Sequence, residues 1–237
     1  MSAKAPAVLV DRAAALYRPC GPAAWRIARG KYRGDPMFTA LLDPSLLPDR
    51  ARILDLGCGK GLVAAWLGAA AALCREAAWP DTLPRPPMYA AYHGIERVPG
   101  DVAIAARALA GQPHVAVAIG DLRQSALPSA DVVLLLDVLH YLEPQAQHRL
   151  LARVRDALPP DGLLLLRVGD AAAGAGYRFS TVVDRLVCLA RGQPTRLYGR
   201  SLVAWCQLLK QLDLDVASRP MSQGTPFANA VLLARPR

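Results

Sequence analysis

No Cys-x-x-Cys pair occurs in this sequence. Its five cysteines (Cys20, Cys58, Cys74, Cys188, Cys206) are scattered and odd in number. That argues against a disulfide framework and a zinc site, and for a reducing, cytoplasmic setting. No apolar run reaches the ~20 residues that span a bilayer; the longest is Leu62 to Cys74. The opening MSAKAPAVLVDR lacks the charged, then apolar, then small-residue order of a signal peptide. Carboxylates spaced for a catalytic metal are missing, so no metal is expected, and no internal repeat is visible. Acidic residues are in deficit: 19 against 28 Lys and Arg, for a net charge of +9 and a sequence pI near 9.7. Nucleic acid, an anionic membrane surface or an acidic protein such as an acyl carrier protein would suit that balance. An arginine-rich composition with no specific partner would produce it too.

What the chain does have is apolar substance. Hydrophobic residues make up 53% of 237 positions, enough for a sizeable core in one domain with a cap. The first fifty residues read as a basic helical cap, residues 1–50. Arg18, Arg26, Arg29, Lys31 and Arg33 lie among Tyr17, Trp25, Ile27 and Tyr32, and Gly21-Pro22 and Gly34-Asp35-Pro36 break the stretch into short helices. Covering a ligand site, docking an acidic carrier, lying on a membrane and standing as a solvated arm all remain open for it.

The organising stretch is Ala51 to Leu67, ARILDLGCGKGLVAAWL. An apolar strand ends in Asp55-Leu56, meets Gly57, Gly59 and Gly61, and passes at once into a helix. The glycines permit positive φ and let a ligand approach the backbone, while the helix start offers unpaired N–H groups. A dinucleotide fingerprint would need its third glycine at position 62. That position is Leu62, and the glycine falls one residue early. With Asp55 before it, the loop suits a ligand carrying positive charge better than a pyrophosphate. Cys58 reads as a small residue that tolerates close approach, with no base beside it to make it a nucleophile.

Four prolines between Ala78 and Met88 exclude a helix or central strand, so 78–91 is expected to be an inserted loop. A second strand, Tyr92 to Ile95, closes on Glu96 with Arg97 beside it. Glu96 lies 35 residues past Gly61 (96 − 61), later than the usual ~20 because of the proline loop, and its carboxylate suits two adjacent ribose hydroxyls. Gly100 to Leu109 reads as a helix and Val115 to Ile119 as a third strand ending in Gly120-Asp121-Leu122. Asp121 is a cofactor ligand or a helix N-cap. Asp131 to Leu136 is a strand buried on both faces, running into Asp137-Val138-Leu139-His140-Tyr141-Leu142. A helix from Pro144 to Leu158 and a fifth strand, Leu163 to Val168, follow. Residues 170–200 are expected to form a lid: Ala171 to Tyr177 loose, Ser180 to Arg191 helical, Gly192 to Tyr198 a basic loop. Ser201 then N-caps a helix to Leu212, and Leu214 to Pro220 and Asn229 to Ala234 are the last strands.

ILDLGCGKG resembles motif I of the class I S-adenosylmethionine (SAM)-dependent methyltransferases, and the likeness extends from Ala51 to the P-P-D-G-L-L-L-L run and Val168. It implies a doubly wound, Rossmann-like α/β fold: seven strands, mostly parallel, with a C-terminal antiparallel hairpin. The SAM-binding domain would cover 51–237. The resemblance implies SAM as cofactor, held by Asp55, Gly57, Cys58, Gly59, Gly61, Glu96, Arg97, Asp121, Leu122 and Asp137. In it Asp55 orients the amino acid moiety, Asp121 accepts from the adenine amine and Leu122 packs on the ring. The order D-L-G-C-G-K-G-L, D-V-L-H-Y-L, L-L-R-V-G-D, R-L-Y and G-T-P-F-A-N is also similar to methyltransferases of bacterial aryl polyene and xanthomonadin-type pigment pathways. That likeness implies a hydroxyphenyl acceptor, free or on an acyl carrier protein.

In such a fold the fourth strand opens onto the same crevice as the first, making His140 and Tyr141 the candidates to meet the substrate. Imidazole in general titrates near neutrality, which suits taking a phenolic proton; walling the pocket is the other role open to His140. Tyr32, Tyr177, Phe179 and Tyr198 would line an apolar pocket. No N-P-P-Y or D-P-P-Y follows the fourth strand, which argues against amino methylation through that motif. The expected activity is methylation of a small aromatic or acyl substrate. An RNA or protein methyltransferase using the basic cap, and a SAM-binding scaffold without turnover, are the alternatives; nucleic acid is the less favoured partner.

Overall fold

The computed structural model describes residues 5–190 and 196–237. It divides into two compact units, one running to Ser125 and one from Ala126 to Arg237. The first four residues of the expected cap, and the expected basic loop as far as residue 195, lie outside the described residues.

In the N-terminal unit β1 (Arg52–Leu56), β2 (Ala91–Glu96) and β3 (Val115–Ile119) are parallel, in the order β3-β2-β1. α4 (Leu62–Arg75) follows the glycine loop, and ten of its residues are buried. Its many alanines leave room beside the backbone, and aromatic side chains fill that room. α1 (Ala7–Ala15) and α2 (Pro22–Gly34) pack together, and α1 also packs on α4; α3 (Pro36–Ala40) follows. Tyr32 stacks on Trp66 at 4.9 Å between ring centroids and donates to the Leu62 carbonyl at 3.0 Å. Trp66 donates to the Phe38 carbonyl at 2.7 Å. Tyr32 is therefore a core residue and not a pocket wall, because its ring completes the packing around Trp66 and its hydroxyl is held at the start of α4. The proline stretch carries no helix or strand, as expected. It is tied back where Met88 N donates to Asp49 and Arg50 N to the Met88 carbonyl. α5 (Pro99–Ala108) packs on β2 and β3.

The C-terminal unit orders its strands β4-β5-β7-β6: β4 (Val132–Leu136) and β5 (Leu163–Gly169) are parallel, and β7 (Asn229–Pro236) runs antiparallel to β5 and to β6 (Leu214–Pro220). β4 is buried along nearly its whole length, in keeping with its unbroken apolar run. α6 (Pro144–Ala157) lies between β4 and β5 in the chain. The complement of strands is that of a seven-stranded, mostly parallel Rossmann-like α/β fold with an antiparallel final hairpin. α8 (Leu202–Gln211) begins at the expected cap, where Ser201 Oγ accepts from Ala204 N at 3.2 Å.

α7 departs from expectation. It spans Ala175–Ala190, so the helix starts five residues before Ser180, inside the stretch expected to be loose. Tertiary packing supplies what the local sequence lacks. A Cβ on Gly176 would stand 3.2 Å from that of Ala228, and the Tyr177 ring lies so close to Gly199 that a Cβ there would be 1.7 Å from its hydroxyl.

Candidate functional site

The glycine loop is shaped by left-handed backbone: φ is +82° at Gly57, +55° at Gly59 and +71° at Gly61. Gly61 is doubly constrained. A Cβ there would lie 2.7 Å from Leu109 Cδ1 and 3.2 Å from Ala105 Cβ. Gly61→Ala should therefore destabilise the protein by at least about 1 kcal/mol from the left-handed conformation alone, plus the displacement of Leu109; urea unfolding checks this. The loop is braced from both sides. Tyr17, on the N-terminal segment, donates to the Lys60 carbonyl at 2.9 Å, and Lys60 Nζ pairs with buried Asp101 at 2.7 Å. Cys58 is buried with its Sγ against Gly94, where a Cβ would come within 2.6 Å, and burial pushes its thiol up. A protonated, enclosed thiol is no nucleophile.

Three carboxylates on the strand ends and their loops meet different surroundings. Asp55 is 3% exposed, and its carboxyl is pushed up to about 7. Burial is the main cause; the hydrogen bond from the Tyr92 hydroxyl pulls the other way, and the Glu96 charge adds to the rise. Glu96 uses each carboxylate oxygen once, accepting from Gly59 N at 3.0 Å and from Val98 N at 2.9 Å. Each oxygen keeps a second lone pair for a hydroxyl. Asp121 is gripped by Arg123 through side chain and backbone, which holds its carboxyl below the usual range. Leu122 beside it is buried, and Arg97 is exposed.

The residues of the N-terminal unit fit SAM on two structural grounds. A Cβ on Gly59 would enter open space that the glycine leaves free for a ligand, and Asp55 is a buried acid whose ionised form calls for a cation.

The C-terminal unit holds a second cluster. Asp137 follows β4 in a left-handed conformation, φ +57°, uncommon outside glycine. Its carboxylate is taken bidentately by Arg167 of β5, which is buried. Asp137 expected as a cofactor ligand is thus engaged by a neighbouring strand. Arg167→Leu should lower stability by about 2 kcal/mol in urea unfolding, less than for a fully buried pair because the Asp137 side chain stays 35% exposed.

His140 sits in a 3-10 turn, Leu139–Tyr141, with the Tyr141 ring 4.1 Å from its own. Its Nε2 is shielded from solvent and lies 3.5 Å from Asp184 Oδ2 on α7, within ion-pair range but without a hydrogen bond. Gln147 of α6 is buried and ties this turn down: its Nε2 faces the carbonyls of Leu139, Leu142 and Tyr198 at 2.9–3.0 Å, and its Oε1 accepts from Arg200 Nε at 2.7 Å. Tyr198 N donates to the His140 carbonyl at 2.8 Å.

Tyr92, Asp101, Gln147, Arg167 and Asp184 were not among the sequence candidates. Only Arg167 carried a signal there, as a lone charge in an apolar strand. Tyr92, Asp101 and Asp184 meet their partners far along the chain, and Gln147 joins its nearby turn to Tyr198 and Arg200, which no local pattern encodes. Among the described residues no group of three or more His, Cys, Asp or Glu could hold a metal ion, and no described helix is long and apolar enough to cross a membrane.

A family model described as "methyltransferase domain" matches residues 25–218. No curated protein matches the sequence. Among solved structures, the mitomycin 7-O-methyltransferase MmcR is 24% identical with a TM-score of 0.60, covering 84% of this chain and 51% of its own. An O-methyltransferase family 2 protein from Planctomyces limnophilus, in complex with apigenin, is 20% identical at 0.60, covering 97% and 65%. Magnesium protoporphyrin IX methyltransferase from Synechocystis, with bound S-adenosylhomocysteine, is 20% identical at 0.59, covering 90% and 85%. The chain thus spans about half of the first and about two thirds of the second. At these identities the likeness is one of fold.

Proposed function

The chain belongs to the methyltransferase-domain family, and we propose that it carries a methyl group from SAM to a small phenolic acceptor. SAM, when bound, supplies an electrophilic methyl on a sulfonium centre. The N-terminal unit provides the grip on the donor: Asp55 for the ammonium of its amino acid part, Glu96 for the ribose hydroxyls, and the left-handed glycines for close approach of the backbone. Asp121 and Leu122 are assigned to the adenine. Arg97 is assigned to the rim of that site.

The C-terminal unit provides the proton acceptor. The observation that carries the reading is the shielded His140 Nε2, which makes no hydrogen bond and has the Asp184 carboxylate 3.5 Å away. His140 takes the acceptor's hydroxyl proton as the oxygen becomes nucleophilic, and Asp184 balances the imidazolium that results. Asp137 is assigned to holding the geometry of the turn through Arg167, and Tyr141 to bounding the imidazole. A phenol is the acceptor class favoured, because its proton is within reach of an imidazole base and because the structural relative from Planctomyces limnophilus was solved with apigenin.

The test is mass spectrometry of products formed with methyl-labelled SAM, offered simple phenols and carrier-bound aryl acids in parallel. Label in a phenolic product supports the reading. Label only in RNA or protein, or in nothing while SAM still binds, overturns it.

A further inference from the structure

The helix α7 is turned the wrong way for a core helix. A surface helix of a globular protein buries its apolar stripe and shows its polar face to water. Here Phe179, Val182, Leu186 and Leu189, spaced i, i+3, i+7, i+10, are 45%, 54%, 60% and 66% exposed. The more enclosed side instead carries Tyr177, Thr181, Asp184 and Cys188, with Asp184 directed to His140. Four large apolar side chains in a row on one exposed face are rare on a monomer and mark a contact surface.

What covers this face follows from its charge. Arg178 and Arg185 are exposed on the same helix and make no ion pair among the described residues. The only acid of α7, Asp184, is engaged on the other side. A second copy would set the same arginines against each other, in a chain already at +9, with no acid on the face to answer them. A folded protein partner would find no hydrogen-bonding group there except two guanidinium groups. An anionic lipid surface needs only an apolar ridge to insert and cations for its headgroups. We propose that α7 is an interfacial helix, seating this protein on anionic membranes through Phe179, Val182, Leu186 and Leu189 with Arg178 and Arg185 at the headgroups. It lies on the bilayer and does not cross it.

Flotation of the full chain with phosphatidylcholine vesicles, and with equimolar phosphatidylcholine and phosphatidylglycerol, tests this. Binding should be about tenfold stronger to the anionic vesicles and weaken with salt. The double variant Val182→Asp, Leu186→Asp should lose about tenfold or more of it, with thermal midpoint and SAM affinity unchanged. Should that variant fail to fold, quenching of Leu186→Trp fluorescence by brominated lipid, beyond that of the native tryptophans, reads the same contact. Four results would overturn the proposal: no flotation; flotation untouched by the apolar variant, which would mean mere adhesion of a basic chain; a dimer in lipid-free solution that this variant dissolves; or capture of a purified acidic carrier protein, lost in the variant, with vesicles left unbound.

Discussion

His140→Ala is expected to lower the turnover of methyl transfer by about 10²–10⁴-fold, the range for loss of a positioned general base, with SAM affinity nearly unchanged. The substitution is clean because the turn does not depend on the imidazole. Tyr198 N bonds the backbone carbonyl of residue 140, and Gln147 bonds those of Leu139 and Leu142. Steady-state kinetics beside calorimetric titration of SAM separate the two effects. Asp184→Asn retains shape and loses charge, so it should lower turnover less than the alanine variant. Near-normal turnover in His140→Ala would leave the imidazole as a wall of the pocket.

The second large effect concerns Asp55 and its dependence on pH. Its carboxyl is pushed up to about 7 in the folded protein, from the ordinary value near 3.8 that an unfolded chain would show. Between those values the folded state holds a proton that the unfolded state has released, so stability from this group is full below pH 4. It falls as the pH rises through the folded value. A difference of about three units corresponds to about 4 kcal/mol lost by the ligand-free protein. Asp55→Asn should therefore unfold at higher denaturant than the wild type at pH 8, while binding SAM markedly more weakly. For the wild type, SAM affinity should rise towards pH 7 as the carboxylate becomes available to the ammonium. It should fall again above about pH 8, where an α-amino group loses its proton. Denaturant melts with and without SAM across this range, and calorimetry, measure both arms. Unchanged SAM affinity in both Asp55→Asn and Glu96→Ala would remove the donor site from this loop.

Much of the fold was legible because it rests on local rules. Val115–Ile119 is the same strand in the sequence and in the structure, and the Ser201 cap forms as its side-chain chemistry predicts. The proline stretch stays irregular for want of donors and of freedom in φ. α7 was misjudged at its start because its first turn is held by Ala228, Gly169 and Gly199, residues that adjacent sequence does not announce. Tyr32 differs for a related reason. Its place among the cap aromatics suits a pocket wall, yet its ring packs on Trp66 inside the core while Arg26 and Arg33 of the same helix are exposed.

From the sequence alone came the α/β alternation, the glycine turn, the acids that close its strands and a histidine after the fourth. These follow from periodicity, from backbone freedom and from the few residue types able to do each task. The tertiary structure alone decided what surrounds them: the burial that pushes the Asp55 carboxyl up against the pull of the Tyr92 bond, the Arg167 clasp on Asp137, the Asp184 carboxylate near His140, and the outward face of α7. A residue type states which interactions a side chain can make. Which it does make depends on partners brought near by folding, and on how much water is left between them.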